Sequence, residues 1–347
     1  MIGDPNRGAI VADARVFQED WVPGDLDHRD AELNLMASAL QPVVEGEAGN
    51  ELFLAGPSGA GKTVSAKYIL QRLREQVLDI ETQYVNCWSD YTRYRVFYRV
   101  VDGIDSLEVH RHRASASDLL DRIRAVDHPV VVILDEVDQL EETAALYDLY
   151  EVPHVEMVLV SNSETEVLAD LDDRLRSRLR SATRVNFDRY GTDALAAILR
   201  ERVEVGLQPG VVDPEEVEAI ARAADGNARD AIAILRSAAQ LAESRDADEI
   251  TPTIVDDAIG DARTRVRRRL VETLTDHQRV LYDVIAAEEP VSPGELYAEY
   301  RDAVDEPRSD RTLRKYLNKM EQYSLIVAEG SSQSRRYRTA EPGPTDR

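Results

Sequence analysis

Residues Glu51 to Lys67 read ELFLAGPSGAGKTVSAK, and this stretch decides the fold. A short apolar run, Leu52 to Ala55, enters a glycine-rich turn, and a helical pattern follows from Val64 to Glu75. Between them, Gly56-Pro57-Ser58-Gly59-Ala60-Gly61-Lys62-Thr63 has the spacing G-x-x-x-x-G-K-[ST] in its required strand-to-helix context. Glycines let backbone N–H groups turn inward around phosphate oxygens, and the positive end of the following helix adds to the cradle. Lys62 is suited to reach the β- and γ-phosphates and Thr63 to ligate Mg²⁺. Eight matching positions in this context outweigh a glycine turn that merely joins strand to helix, so a nucleotide loop is expected.

Outward from the loop, the runs ELFLA, TQYVNCW, VVVILDE, VEMVLVSN and TRVNF are short and rich in β-branched residues, with helical stretches between them. That alternation predicts βαβ units, an α/β domain around a parallel sheet. The wholly apolar run Val130 to Leu134 marks a strand buried on both faces, and Asp135 and Glu136 sit at its carboxyl end, where open α/β sheets bind ligands. Asp135 is suited to hold Mg²⁺ through water and Glu136 to polarise an attacking water. A lone acidic pair after a strand is ordinarily a solvated turn; the phosphate loop upstream turns the reading toward catalysis. Asn162 ends another apolar strand, where it serves equally well as a water-orienting amide or as a turn residue. The cluster RLRSRLR (Arg174–Arg180) suits transition-state charge on a phosphoryl group, although a charge run is more often a solvated face.

From Gly191 to Arg263 the pattern is helical, with Asp213-Pro214-Glu215-Glu216 opening one helix. An arginine-rich connector, ARTRVRRRL, spans Ala262 to Leu270, and capping boxes at Thr275 and Ser292 start two further helices. A third begins near Ser309. There Leu313, Tyr316, Leu317 and Met320 form the buried stripe, and Arg311, Arg314, Lys315, Asn318 and Lys319 are expected off it, as on a recognition helix. Leu325–Ala328, a turn at Glu329-Gly330-Ser331 and Arg335–Thr339 read as a hairpin carrying Arg335, Arg336 and Arg338. Three helices and a basic hairpin predict a winged helix, and two basic elements favour double-stranded DNA over a protein partner.

Of 347 residues, 43% are hydrophobic and 31% charged, as in a globular protein, and the longest strongly apolar run is too short to span a bilayer. No membrane partner is expected. MIGDPNRGAI has no basic segment followed by an apolar core, so no leader is expected either. The single cysteine, Cys87, excludes an intrachain disulfide framework and fits a reducing cytoplasm. The net charge of −24 argues against nucleic acid until its distribution is read. Residues 1–262 hold 26 Lys+Arg against 51 Asp+Glu, whereas residues 263–347 hold 16 against 15. With only four lysines, the acidic surface reads as adaptation to a salt-rich cytoplasm in which self-repulsion is screened.

Together these segments resemble AAA+ ATPases, and more closely the archaeal Orc1/Cdc6 replication-initiator family, with a haloarchaeal source implied. VFQEDWVPGDLDHRDAEL (Val16–Leu33) resembles the family's N-terminal motif near the adenine, which brings in Val22 and Pro23. GPSGAGKT and LDEVDQL resemble Walker A and B, VSNS resembles sensor 1 with Asn162, and RLRSRLRS the box whose finger is Arg178. VNFDRYGTDALAAILRERVEVGL resembles the start of the lid, with Tyr190 and Arg202 near the nucleotide, and DGNARDAIAILRSAAQLAE resembles sensor 2, with Arg229. The likeness implies an AAA+ domain (1–188), a helical lid (189–263) and a winged-helix domain (264–347). It implies ATP or ADP with Mg²⁺ as cofactors, slow hydrolysis, origin DNA, other initiator protomers and a replicative helicase as partners, and a nucleoid location in the cytoplasm. Ser58, Ala60 and Asn227 depart from the family pattern with little consequence expected. Residues 88–117, where initiators carry an extra DNA-contacting helix, fit poorly, though Arg93, Arg95 and Arg99 with Tyr91, Tyr94 and Tyr98 suit phosphates. The alternative is a DNA-binding regulator paralogue that holds ATP without firing an origin. A clamp-loader-like ATPase would lack the winged helix, and a small-molecule kinase would need an acceptor site that no residue supplies.

Overall fold

The structure is a computed structural model that describes residues 10–18, 21–47, 49–77, 79–104, 114–288, 290–330 and 334–340. The chain divides into two compact units, Gln18–Ala194 and a second formed by Leu195 onward with the segment ending at Phe17.

The first unit is built on five strands: β1 (Leu52–Ala55), β2 (Glu81–Asn86), β3 (Val130–Asp135), β4 (Val155–Ser161) and β5 (Thr183–Asn186). All are parallel, in the order β2-β3-β4-β1-β5. The five apolar runs of the sequence are these five strands. Side chains alternate across a strand, and in the central strands both faces are apolar. Val130, Val132 and Leu134 of β3 with Met157 and Leu159 of β4 face one core. That core is closed by α3 (Arg93–Asp102), α4 (Ala116–Arg124) and α5 (Ala144–Tyr150) through Val96, Phe97, Leu119, Ile123 and Leu146. Val131 and Ile133 with Val158 and Val160 face the other, closed by α1 (Asp30–Val44) and α2 (Lys62–Gln76) through Met36, Leu40, Ile69 and Leu70. Two covered faces are what bury β3 and β4 along their whole length and let most of their residues be apolar. Two short helices, α6 (Glu164–Asp170) and α7 (Asp173–Arg178), lie between β4 and β5.

The register aligns the strand ends. Ala55 of β1 sits beside Ser161 of β4 and Asn186 of β5, and Asp135 of β3 lies beside Asn86 and Val160. The loops that leave β1, β3 and β4 therefore emerge at one edge of the sheet.

In the second unit, α8 (Thr192–Gly206), α9 (Pro214–Ala223), α10 (Ala228–Ser244) and α11 (Pro252–Glu272) follow in series. The main-chain N–H of Ala12 donates to Gly206 at 2.8 Å and that of Gln208 to Ile10 at 2.9 Å, which ties the N-terminal segment to the end of α8. Asn227 caps α10 by accepting from the N–H groups of Arg229 and Asp230. The arginine-rich stretch expected as a connector is helical, part of α11, which runs unbroken to Glu272. Three helices follow, α12 (Asp276–Ala287), α13 (Pro293–Ala303) and α14 (Asp310–Gln322), then an antiparallel hairpin of β6 (Ile326–Glu329) and β7 (Arg336–Thr339). Their core is Leu281, Ile285, Leu296, Tyr300, Leu313, Leu317, Met320 and Tyr337. Val291 adds a third short rung, since it and Tyr337 exchange both main-chain hydrogen bonds, at 2.9 and 2.8 Å. Part of the hairpin turn read from the sequence, Ser331, lies outside the described residues. No helix among the described residues is long and apolar enough to cross a membrane.

Candidate functional site

The phosphate loop leaves β1 at Gly56, whose φ of +152° lets the chain turn where a Cβ would meet the Phe187 carbonyl at 2.1 Å. At Gly61 φ is +92°, and a Cβ there would meet the Tyr190 hydroxyl at 2.2 Å. Both glycines are thus fixed by conformation and by the segment that leaves β5. Pro57 and Ser58 are half-buried, Gly59 carries φ +74° and Ala60 is fully buried. Lys62 opens α2 and turns back over the loop, where its Nζ donates to Gly56 O at 2.6 Å, Pro57 O at 2.8 Å and Asn162 Oδ1 at 3.1 Å.

Beside it, Thr63 Oγ1 donates to Asp135 Oδ2 at 2.8 Å. The same oxygen accepts from the Tyr84 hydroxyl at 2.8 Å, and Asp135 Oδ1 accepts from the Glu136 N–H at 2.9 Å. Burial and the adjoining Asp135 carboxylate push the Tyr84 phenol well above its ordinary pKa, so it remains a donor. Burial likewise pushes the Cys87 thiol up, which leaves that cysteine unreactive. Glu136 has φ +54° and ψ +41°, the left-handed region, where a non-glycine residue is uncommon and functional sites store strain. Lys62, Thr63, Asp135, Glu136 and Asn162, read from separate segments, thus converge at one edge of the sheet.

Arg29 is a site residue that the sequence reading did not single out. It is 5% exposed, and its Nη2 donates to Ala60 O at 2.6 Å and Asp188 O at 2.7 Å while Nη1 pairs with Glu32. Its guanidinium lies 4.1 Å from the Tyr190 ring centroid and 5.2 Å from that of Phe187. Arg29 therefore brackets the phosphate loop to the segment after β5. Of the residues expected near the adenine, Val22 is half-buried and Pro23 buried ahead of α1, and Tyr190 packs under Arg29; Glu19 and Asp20 of the same motif lie outside the described residues.

Arg178, the expected finger, ends α7. It pairs with Glu151 and lies over Tyr147 and Tyr150, at 5.1 and 5.2 Å from their ring centroids. In the second unit Arg202 is 7% exposed on α8 and donates to Ile198 O at 3.2 Å, and Arg229 lies in the first turn of α10.

On α3, Arg93 pairs with Asp148 at 2.6 Å, and Arg95 and Arg99 both reach Asp90, at 3.6 and 2.9 Å. Residues 105–113 of the poorly fitting stretch lie outside the described residues. On α14, Arg311, Arg314 and Asn318 are exposed and Lys315 is half-buried. Lys319 corrects the expectation. It is 2% exposed, with its ammonium 4.8 Å from the Tyr323 ring centroid, and is a core residue instead of a surface contact. Its ammonium finds an aromatic partner one turn on, the Tyr323 that caps α14. In the hairpin, Arg336 is exposed and donates to Pro290 O at 3.0 Å; Arg335 pairs with Glu321 at 3.0 Å and Arg338 with Glu329 at 2.6 Å.

Comparison with known proteins accords with this geometry. Residues 25–160 match the family described as AAA ATPase domain, and residues 196–260 match the Cdc6 AAA+ ATPase-type lid domain. The ORC1-type DNA replication protein 9 of Halobacterium salinarum is 42% identical over 330 residues, covering 94% of this chain and 93% of that protein. The ORC1-type DNA replication protein 1 of the same organism is 40% identical over 307 residues, 88% of this chain and 100% of that protein. Among solved structures, the Aeropyrum pernix ORC1 protein in complex with DNA superposes with a TM-score of 0.76 at 27% identity, over 96% of this chain and 94% of that one. With these relatives in a Halobacterium, the chain belongs to the Orc1/Cdc6 family of AAA+ DNA replication proteins.

Proposed function

We propose that the protein is an ATP-dependent replication initiator that binds double-stranded origin DNA and uses slow hydrolysis as a switch for recruiting the replicative helicase. The observation that carries this reading is the convergence of Lys62, Thr63, Asp135, Glu136 and Asn162 on one sheet edge. The proposed organisation is an AAA+ domain (1–188), a lid (189–263) and a winged-helix domain (264–347), acting on the nucleoid in the cytoplasm.

The donor set fits a magnesium nucleotide. Lys62 is held by carbonyl and amide oxygens that its ammonium can exchange for phosphate oxygens, and Thr63 and Asp135 already share a hydrogen bond where a hard cation would be shared. Bound Mg·ATP supplies the phosphoryl electrophile and neutralises its developing charge. Glu136 takes the proton of the attacking water, and Asn162 orients that water. Tyr190, Arg202 and Arg229 are proposed as further nucleotide-binding residues, as the family resemblance implies. Arg178 acts on the nucleotide of a neighbouring protomer once it leaves Glu151. Its pairing within its own chain supports slow turnover, because the finger must first be released.

DNA binding is supported by the exposed Arg311, Arg314 and Arg336 and the half-buried Lys315, on a helix and hairpin that fit a winged helix. The Aeropyrum pernix relative in complex with DNA supports the same assignment. The test compares the wild type with Lys62→Ala and Glu136→Gln for ATP affinity and multiple turnover. Lys62→Ala is expected to weaken ATP binding by about 30-fold or more, and Glu136→Gln to keep affinity within about threefold while turnover falls about 100-fold. Unchanged affinity in Lys62→Ala, or no turnover by the wild type, contradicts the ATP switch.

A further inference from the structure

Asp138 lies in the 3₁₀ turn Val137–Gln139 that follows β3, and it is 7% exposed. Its Oδ1 accepts from the Ser161 hydroxyl at 2.9 Å and its Oδ2 from Gln139 Nε2 at 2.6 Å. Ser161, the last residue of β4, is itself 2% exposed and accepts the Ser163 N–H at 3.1 Å. Ser163 then caps α6 by accepting the Glu166 N–H at 3.3 Å. Asn162 is thus flanked by two residues joined through one buried hydroxyl, and that hydroxyl is anchored on a buried carboxylate. Asn162 Oδ1 in turn accepts from Lys62 Nζ.

A hydroxyl has one proton, and the carboxylate is a stronger acceptor than the Ser163 carbonyl at 3.3 Å. With that proton committed to Asp138, the Ser161 lone pair faces the Ser163 N–H, so one hydroxyl ties the Asp138 carboxylate to the turn around Asn162. Packing alone gives little reason for Asp138, because an apolar residue would fill the space without the cost of burying a carboxylate. Its position does give one. It joins the loop carrying Asp135 and Glu136 to the loop carrying Asn162.

We propose that Asp138 and Ser161 form a positioning pair that fixes the Asn162 amide against Lys62, so that they act on turnover through Asn162. This rests on the ATPase reading above. The full chain is assayed as Ser161→Ala, Asp138→Ala, Asp138→Asn, Asn162→Ala and Ser161→Ala/Asn162→Ala. Ser161→Ala and Asp138→Ala are expected to lower kcat about tenfold with ATP affinity within about twofold, and Asp138→Asn, which keeps an acceptor for Ser161, to retain most activity. The double variant is expected to be no slower than Asn162→Ala alone, because contacts that act through one group do not add. Additive losses, or equal losses of kcat and affinity, overturn the proposal. Hydrogen exchange of the nucleotide-free chain reads the pair without any turnover. Ser161→Ala should speed exchange about tenfold across residues 162–167 while β1 and β3 keep their protection, and unchanged exchange there overturns the pairing. A wild type without turnover would remove the ATPase reading and leave this second readout to decide the pair.

Discussion

The guanidinium of Arg29 donates to main-chain carbonyls on both sides of the site, Ala60 in the phosphate loop and Asp188 after β5, and lies over Tyr190. Its removal leaves two carbonyls and the Glu32 carboxylate without their buried donor, a loss of about 2–4 kcal/mol. Arg29→Ala should therefore lower the melting temperature and also weaken ATP binding, because Gly61 and Lys62 follow the carbonyl that Arg29 holds. Calorimetry and nucleotide titration check this, and normal affinity in a destabilised variant would limit Arg29 to a structural role. Lys62, Thr63, Asp135 and Glu136 were legible in the sequence because their spacing around a strand end is itself the signal. Arg29 and Tyr84 were not. Their partners lie 31 and 51 residues away, and nothing local marks an arginine or tyrosine that will be buried beside a loop.

At the level of elements, apolar β-branched runs read as strands because a sheet covered on both faces needs no polar alternation, and β3 and β4 are buried along their whole length. The strand order followed from no local pattern, since it depends on which loops cross. β4 also buries Glu156, whose Oε1 accepts the Gly49 N–H at 2.6 Å. Burial, with the Glu51 carboxylate adding to it, pushes the Glu156 carboxyl up to about 7. The folded protein therefore binds this proton more tightly than the unfolded chain. The stability held with the proton is complete below the ordinary glutamate range and is lost as pH rises through about 7. Glu156→Gln keeps the acceptor and removes the charge, so it should raise the melting temperature at pH 8 by about 2–4 °C and much less near pH 5. An equal gain at both pH values would contradict the assignment. On α14 the stripe Leu313, Tyr316, Leu317, Met320 was legible from its period, but Lys319 stands at its margin and is buried against Tyr323. Arg314→Ala should weaken DNA binding about five- to tenfold, whereas Lys319→Met should change it less than twofold in a gel-shift assay. A larger effect of Lys319→Met would return that residue to the DNA face.

Over the whole molecule, the acidity lies in residues 1–262 and the near-balanced charge in residues 263–347, where the DNA-binding elements are proposed. A chain of net charge −24 repels itself in dilute buffer, and salt screens that repulsion. Its melting temperature should rise steadily from about 0.2 M to about 2 M KCl, and a fall over that range would contradict the halophilic reading. The charge division was legible because it needs only counting. Which DNA the proposed elements would read was not, because base readout depends on a few side chains whose partners are outside the chain. The most direct measurement is genome-wide chromatin precipitation of the wild type beside Lys62→Ala. The account predicts sharp enrichment at replication start sites, altered in the variant. Enrichment at promoters, or none, would contradict origin recognition under ATP control.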